Sequence, residues 1–226
     1  MKRCWCIQPK ANAEFVCRME DVLDVYQRPH DPASPWRAWT RPANSCWAKC
    51  ASRCRCSRSA ACRQDCEYER HGTANMFVLY APLEGWRHVD VTERRTAVDF
   101  AHVIKDLVDV HFPRALRIVL VMDNLNTHGP ASLYEAFAPV EARRLAAKLE
   151  IHYTPKHGSW LDMAELELSI LARQCLGKRM DSRSHLASEV AAWEDRRNAS
   201  HATIDWRFTT ADTRIKLKRL YPAVQL

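Results

Sequence analysis

The 226-residue sequence lacks the long apolar run that a membrane span requires. A transmembrane helix needs at least about 18 predominantly apolar residues, and charged residues interrupt every candidate stretch. The first ten residues also lack the apolar centre of a secretory signal peptide. No internal repeat is visible, so the sequence does not predict a repeat architecture. We therefore expect a cytoplasmic globular protein with no membrane partner.

Helical and strand periodicity is missing from one segment, residues 36–66, which also contains no glycine. This segment holds six of the ten cysteines, three of the eight tryptophans, and seven Lys or Arg against a single acid, Asp65. The other residues carry 27 basic and 26 acidic side chains, so the net charge of +7 belongs almost entirely to this segment. The overall charge therefore does not indicate nucleic-acid affinity for the whole chain.

Regular patterns outside that segment predict an α/β sheet domain. Apolar residues at helical spacing predict helices over residues 11–27, 96–112, 130–137, 139–149, 161–176 and 184–198. Alternating residues predict a strand pair over residues 75–80 and 86–91. The continuous apolar run of residues 117–122 predicts a central strand buried on both faces, and residues 150–153 predict a short strand after it.

Two acidic residues follow predicted strands, where open α/β sheets carry functional groups. Asp123 comes directly after the central strand, and Glu165 lies in the first turns of a later helix. Each has an ordinary alternative role, Asp123 in a turn and Glu165 as an acid that the helix dipole favours. Together their oxygens suit Mg²⁺ or Mn²⁺. A two-ion site for phosphoryl transfer normally needs one more carboxylate than this pair provides.

The sequence around these acids resembles that of transposases. Residues 121–128 and 151–167 are similar to the second and third motifs of bacterial insertion-sequence transposases of the Tc/mariner superfamily. The likeness also covers residues 19–32, 68–75, 85–98 and 206–222. The resemblance implies an RNase H-like α/β fold, a central mixed sheet with helices on both faces. The family's N-terminal helix-turn-helix region has no counterpart, so we expect a catalytic domain alone.

The resemblance also implies a function. Asp123 and Glu165 correspond to the second and third acids of an Asp-Asp-Glu triad, which holds two Mg²⁺ or Mn²⁺ ions and cleaves and rejoins DNA strands. The implied partner is DNA at the transposon ends, and homo-oligomerisation is left open. His128 and His157 flank the acids and are candidates to orient phosphate or water, with structural hydrogen bonds as the alternative. Asp162 stands where the family usually has Asn and is a third accessory candidate.

Two further groups near the motifs have ordinary explanations. Trp160 is interpreted as a packing residue rather than a surface on which a base stacks. The basic residues of the tail are either contacts to DNA phosphates or a solvated helix face: Arg214, Lys216, Lys218 and Arg219.

The family's first acid, expected in a Met-Asp-Glu motif near residues 36–45, has no counterpart in the sequence. The genetic code indicates why. When the third base of each codon is read with the first two bases of the next, Trp39–Thr40 must encode Asp, and the shifted frame permits Met-Asp-Glu-Ala-Arg-Lys-Gln-Leu-Leu-Gly-Glu. In the same frame Cys46–Trp47 must encode Leu, and Trp47–Ala48 must encode Gly. We therefore interpret residues 36–66 as frameshifted, with the frame restored before Glu67.

This interpretation divides the chain into three parts. Residues 1–35 form an N-terminal helix and connection, residues 36–66 the frameshifted segment with a disrupted first strand, and residues 67–226 the catalytic domain. Neither Asp31, which lies between prolines, nor Asp65 is placed to supply the missing carboxylate. The expected protein is catalytically inactive or nearly so.

The alternative is a non-enzymatic zinc- or DNA-binding protein that uses the same segment. Its candidate zinc ligands are Cys46, Cys50, Cys54, Cys56, Cys62 and Cys66. Zinc sites usually show two cysteine pairs at short, regular intervals, whereas these intervals drift. Cys17 and Cys175 fall in predicted helices and are interpreted as packing residues.

Overall fold

The computed structural model describes residues 12–40, 45–46, 73–123, 129–178 and 180–223, with the backbone alone for residues 36, 38–40, 45 and 46. The strands are β1 Trp36–Thr40, β2 Ser45–Cys46, β3 Thr73–Ala81, β4 Trp86–Thr92, β5 Ile118–Met122 and β6 Leu149–Tyr153. The helices are α1 Ala13–Tyr26, α2 Ala97–Asp106, α3 Pro130–Ala136, α4 Pro139–Ala147, α5 Met163–Gln174, α6 Arg183–Ala199 and α7 Thr210–Lys216. No helix in the described ranges is long and apolar enough to cross a membrane.

The strands form one mixed sheet in the order β4-β3-β1-β5-β6, with β2 paired beside β3. β3 is antiparallel to both β4 and β1, whereas β1, β5 and β6 run parallel. Parallel strands place their carboxyl ends at the same edge of a sheet. The ends of β1, β5 and β6 therefore meet at one edge.

The central strand β5 is buried on both faces, as its apolar run predicts. Ile118, Leu120 and Met122 pack in a core with α2, α3 and α4. Val119 and Val121 pack on the opposite face with α1 and the start of α5. This alternation follows from the two-residue period of a strand. The predicted sheet with helices on both faces is confirmed.

The opening strand is present where the sequence predicts no regular structure. β1 lies between β3 and β5, with Trp36 opposite Val119 and Trp39 opposite Met122. A central strand takes its hydrogen bonds from the backbones of both neighbours, and Trp and Thr favour strands. This corrects the expectation of a disrupted first strand for residues 36–40. Residues 47–66 lie outside the described ranges.

Arg37 fixes β1 to the turn between β3 and β4. Its side chain is buried, donates to both carboxylate oxygens of Glu84 at 3.0 and 3.1 Å, and lies 3.9 Å over the Phe112 ring. The same burial lowers the Arg37 pKa to about 10, against the charge of Glu84, which raises it. This turn also needs Gly85, whose φ is +63° and whose added Cβ would lie 2.6 Å from the His201 carbonyl carbon.

Several predicted boundaries differ in detail. The predicted helix over residues 96–112 is α2 followed by a π-helical turn, Leu107–His111, in which Phe112 N–H donates to the Leu107 carbonyl. The predicted helix over residues 161–176 begins as a 3₁₀ turn, Ser159–Leu161, before α5. Cys175 is buried as expected, but Cys17 is exposed, because α1 turns Phe15 and Met19 rather than Cys17 towards the core.

Candidate active site

Asp123 lies at the carboxyl edge of the sheet. It follows Met122, the last residue of β5, whose carbonyl accepts a hydrogen bond from Thr154 N–H just after β6. This bond extends the pairing of β5 and β6 one residue past the end of β6. The Asp123 backbone is therefore held at the edge, and its side chain is half-buried.

The chain between β6 and α5 brings a second carboxylate to this edge. His157 takes a left-handed φ of 64°, and the 3₁₀ turn Ser159–Leu161 follows. Asp162 then caps α5 by accepting from Ala164 N–H at 2.9 Å, while Tyr26 of α1 donates its hydroxyl proton to the Leu161 carbonyl. These bonds fix the first turn of α5, which carries Glu165.

Asp123 and Glu165 share one electrostatic site. The pKa of Glu165 lies above its ordinary value, first because burial disfavours the carboxylate and also because the Asp123 charge repels it. A hydrogen bond from the Ser159 side chain acts in the opposite direction. The charge of one acid that the sequence singles out therefore acts on the other. Ser159, which the sequence analysis passes over, belongs to the same site.

β1 ends close to the point where β5 ends. Trp39 pairs with Met122, the last residue of β5, so Thr40 and Asp123 each come one residue after this pair. Thr40 also pairs with Val78 of β3. The end of β1 therefore lies beside the end of β5 that leads into Asp123.

The two carboxylates are suitable ligands for a divalent ion, but a two-ion site normally uses a third. Oxygen donors are the ligands that Mg²⁺ and Mn²⁺ prefer. Within the described ranges, no group of three or more His, Cys, Asp or Glu side chains is placed to hold a metal ion. Of the Asp-Asp-Glu arrangement that the resemblance implies, the described residues supply Asp123 and Glu165.

The other predicted site residues have different places. His157 is exposed on its turn, Asp162 is 1% exposed and serves as the helix cap, and Trp160 packs against the core as predicted. His128 lies outside the described residues. So do the proposed zinc ligands, apart from Cys46, of which only the backbone is described.

Asp31 and one basic residue of the tail, Arg214, also have defined contacts. Asp31 accepts from Ala33 N–H in the turn before β1, at the edge opposite the site. In the tail, Arg214 binds both carboxylate oxygens of Glu20 on α1, each at 2.9 Å. Arg214 therefore fastens α7 to α1 and is engaged within the protein.

Sequence reasoning missed one buried acid, Glu167. It lies on the side of α5 that also holds Ala164 and Leu171, and it is fully buried. The signal was available, because a Glu three residues after one apolar position and four before another falls on the buried stripe of a helix. Its partners, Arg87 and Arg197, are far away in sequence and could not be identified from spacing.

The strand order, the helices on both faces and the carboxylate after the central strand define an RNase H-like fold. The sequence profile of the family described as DDE superfamily endonuclease matches residues 42–187, which include Asp123 and Glu165. The chain belongs to this family. Among curated protein sequences, none matches it.

Solved structures of the Mos1 mariner transposase share the fold. The Mos1 strand transfer complex matches with a TM-score of 0.61 and 10% identity, covering 89% of this chain and 61% of that chain. The Mos1 paired-end complex with Mn matches at 0.54 and 12% identity, covering 89% and 62%. The complex with Mg matches at 0.53 and 10%, covering 99% and 68%. The chain thus spans about three fifths of the Mos1 chain in the first two structures.

Proposed function

We propose that this chain is the catalytic core of an insertion-sequence transposase whose metal site lacks its first carboxylate. One observation carries the proposal. Asp123 and Glu165 share a site at the carboxyl edge of β5, while the backbone position beside Asp123 is occupied by Thr40. Family membership supports metal-dependent cleavage and joining of DNA strands as the ancestral activity. The missing acid accounts for an inactive or nearly inactive protein.

Asp123 and Glu165 are the residues that would hold a divalent ion, Mg²⁺ or Mn²⁺. When bound, such an ion supplies a Lewis acid that stabilises the charge developing on a phosphodiester. Ionisation of Glu165 is opposed by burial and by the charge of Asp123. Without the first acid of the triad, less negative charge is available to offset two close cations.

The reading-frame interpretation is supported by the genetic code, because the shifted frame forces an Asp across the Trp39–Thr40 codons. The pairing of β1 with β5 counts against frameshifting of residues 36–40, because a disrupted strand is expected there. Trp39 pairs with Met122, the residue before Asp123, and this supports a position near Asp123 for the lost carboxylate. Since β1 still forms, we propose that the shift removed the acid and kept the strand.

DNA at transposon ends is the proposed partner. The Mos1 structures that share the fold are a strand transfer complex and a paired-end complex, which supports this choice. Assembly into a homo-oligomer remains part of the proposal, and so does the bacterial insertion-sequence origin.

The proposal is tested by a strand-cleavage assay with Mn²⁺ on terminal-inverted-repeat DNA. The chain as written is compared with a version in which the shifted frame of residues 36–66 is restored, and Asp123→Ala of each provides the background. We expect cleavage from the restored version only. Equal cleavage by both versions would show that another acid completes the site. Stoichiometric zinc in the purified chain, with no cleavage by either version, would favour the zinc-binding alternative.

A further inference from the structure

Three charged side chains that the proposed reaction does not use meet beneath α5. Glu167 of α5 lies 2.9 Å from Arg87 Nε of β4, and both side chains are at most 1% exposed. Arg197 of α6 donates to the two carboxylate oxygens of Glu167, each at 3.1 Å. One carboxylate thus joins a helix, an edge strand and a second helix. We call these three residues the α5 clamp.

Arg87, the buried arginine of the clamp, forms several further contacts. Arg87 donates from Nη2 to the Ala202 carbonyl at 2.8 Å and from Nη1 to Asn198 Oδ1 at 3.3 Å. Asn198 also exchanges hydrogen bonds with the Arg87 backbone, at 2.9 Å each. The guanidinium carbon lies 5.2 Å from the centre of the Tyr80 ring. Arg87 is therefore a fixed point from which Glu167 is positioned.

Stability alone is a poor reason for such an arrangement. Removing charged side chains from water is unfavourable, and well-packed apolar residues often replace a buried ionic cluster without loss of stability. A bidentate arginine contact does provide fixed geometry, because its donors match the two oxygens of a carboxylate. The clamp is better explained by the orientation that it imposes on α5.

That orientation bears directly on the candidate site. Glu165 and Glu167 are two residues apart in α5, so their side chains leave the helix about 200° apart around its axis. The charge of Asp123 acts on Glu165, whereas Glu167 forms its ion pairs with the arginines of the clamp. A rotation of α5 that moves one of these side chains must move the other.

We propose that Glu167 is a positioning residue, which, held by Arg87 and Arg197, sets the rotation of α5 and so keeps Glu165 beside Asp123. The expected effect on metal affinity rests on the proposed function. The claim that Glu167 sets the rotation of α5 concerns the metal-free protein and rests on the described contacts alone.

The test uses the full chain and the substitution Glu167→Gln, which keeps the shape of the side chain and removes its charge. The matched control is Glu194→Gln. Glu194 also joins α6 to β4, by accepting from Val89 N–H at 2.9 Å and contacting His88, but it has no contact with α5 among its described bonds. Arg197→Lys is a second variant, which keeps the charge and loses the bidentate geometry.

The first readout is hydrogen exchange of the metal-free protein over residues 159–167. We expect faster exchange of this segment in Glu167→Gln and Arg197→Lys, and native exchange there in Glu194→Gln. The second readout is Mn²⁺ affinity at a temperature where every variant is folded. Loss of a residue that orients a metal ligand typically weakens binding about 10-fold to 100-fold, and we expect this for the clamp variants only.

The outcomes separate this inference from the proposed function. Unchanged exchange over residues 159–167 in the clamp variants overturns the inference, whatever the metal result. Faster exchange with undiminished Mn²⁺ affinity also overturns it, because Glu165 would then be placed without the clamp. If the native chain binds no Mn²⁺ beyond its Asp123→Ala variant, the metal proposal fails, and the exchange readout alone decides on the clamp. If Glu167→Gln does not fold, Arg197→Lys provides both readouts.

Discussion

Burial and, to a smaller extent, the negative charge of Asp123 raise the pKa of Glu165, although Asp123 and Glu165 belong to different parts of the fold. Asp123 follows the last residue of the central strand β5, and Glu165 lies in the first turn of α5. A hydrogen bond from Ser159 acts on the Glu165 pKa in the opposite direction.

The first prediction concerns the dependence of stability on pH. The pKa of Glu165 is raised in the folded protein above its ordinary value of 4.5, so the folded state holds this proton more tightly than the unfolded state. The stabilising contribution is complete below the unfolded pKa and is lost as the pH rises through the folded pKa. We therefore expect Glu165→Gln to raise the melting temperature at about pH 8 and to change it little at about pH 4.

The exposed residue Glu135 provides the control for this comparison. For Glu135→Gln, we expect the difference between the melting temperatures at about pH 8 and about pH 4 to equal that of the native chain. A Glu165→Gln variant that is less stable than the native chain at about pH 8 would contradict the assigned direction.

The second prediction concerns Glu150 on β6, whose pKa has the opposite shift. A hydrogen bond from Arg28, followed by one from His152, lowers the Glu150 pKa from 4.5 to about 2. Its contribution to stability is therefore present above the unfolded pKa and is lost as the pH falls through about 2. Glu150→Gln should lower the free energy of unfolding at neutral pH by about 1 kcal/mol or less, since the contact is near the surface.

Urea unfolding at low and high salt measures this effect. The loss should shrink at about 1 M salt, where exposed charges are screened. A loss that persists unchanged at high salt and at about pH 2 would mean that Glu150 stabilises the fold by packing and not by charge.

The third prediction concerns the turn between β3 and β4. Gly85 combines a left-handed φ of +63° with a backbone approach from His201, at 2.6 Å from the place where a Cβ would stand. Gly85→Ala should lower the free energy of unfolding by at least about 1–3 kcal/mol, the usual cost of such strain, with the close contact adding to it. The substitution Gly177→Ala is the control, because an added Cβ there meets its nearest atom at 3.9 Å. Equal unfolding energies for the two variants would contradict the described turn.

Much of the fold was predictable because β5, α2 and α5 carry clear periodicities. The apolar run of β5 indicates a central strand, and the motif containing Glu165 indicates the start of a helix. β1 was not predictable, because a central strand depends on backbone pairing with β3 and β5, which residues 36–40 do not reveal. The bond between Arg37 and Glu84 likewise depends on which strands become neighbours.

Within the site, the two acids could be identified and the support beneath them could not. Asp123 and Glu165 belong to recognisable motifs. Glu167 forms its contacts with Arg87 and Arg197 only after β4, α5 and α6 have packed together. Sequence therefore singles out the two carboxylates, and the structure adds the ion pairs that Glu167 forms nearby in α5.

The central claim is that one carboxylate is missing beside Asp123, and Thr40→Asp tests it most directly. Thr40→Asn has nearly the same shape without the charge and is the matched control, and Asp123→Ala sets the background. In the assay with Mn²⁺ and terminal-inverted-repeat DNA, we expect Thr40→Asp to cleave above background, while the chain as written and Thr40→Asn remain at background. Cleavage by the chain as written at the rate of Thr40→Asp would contradict the account.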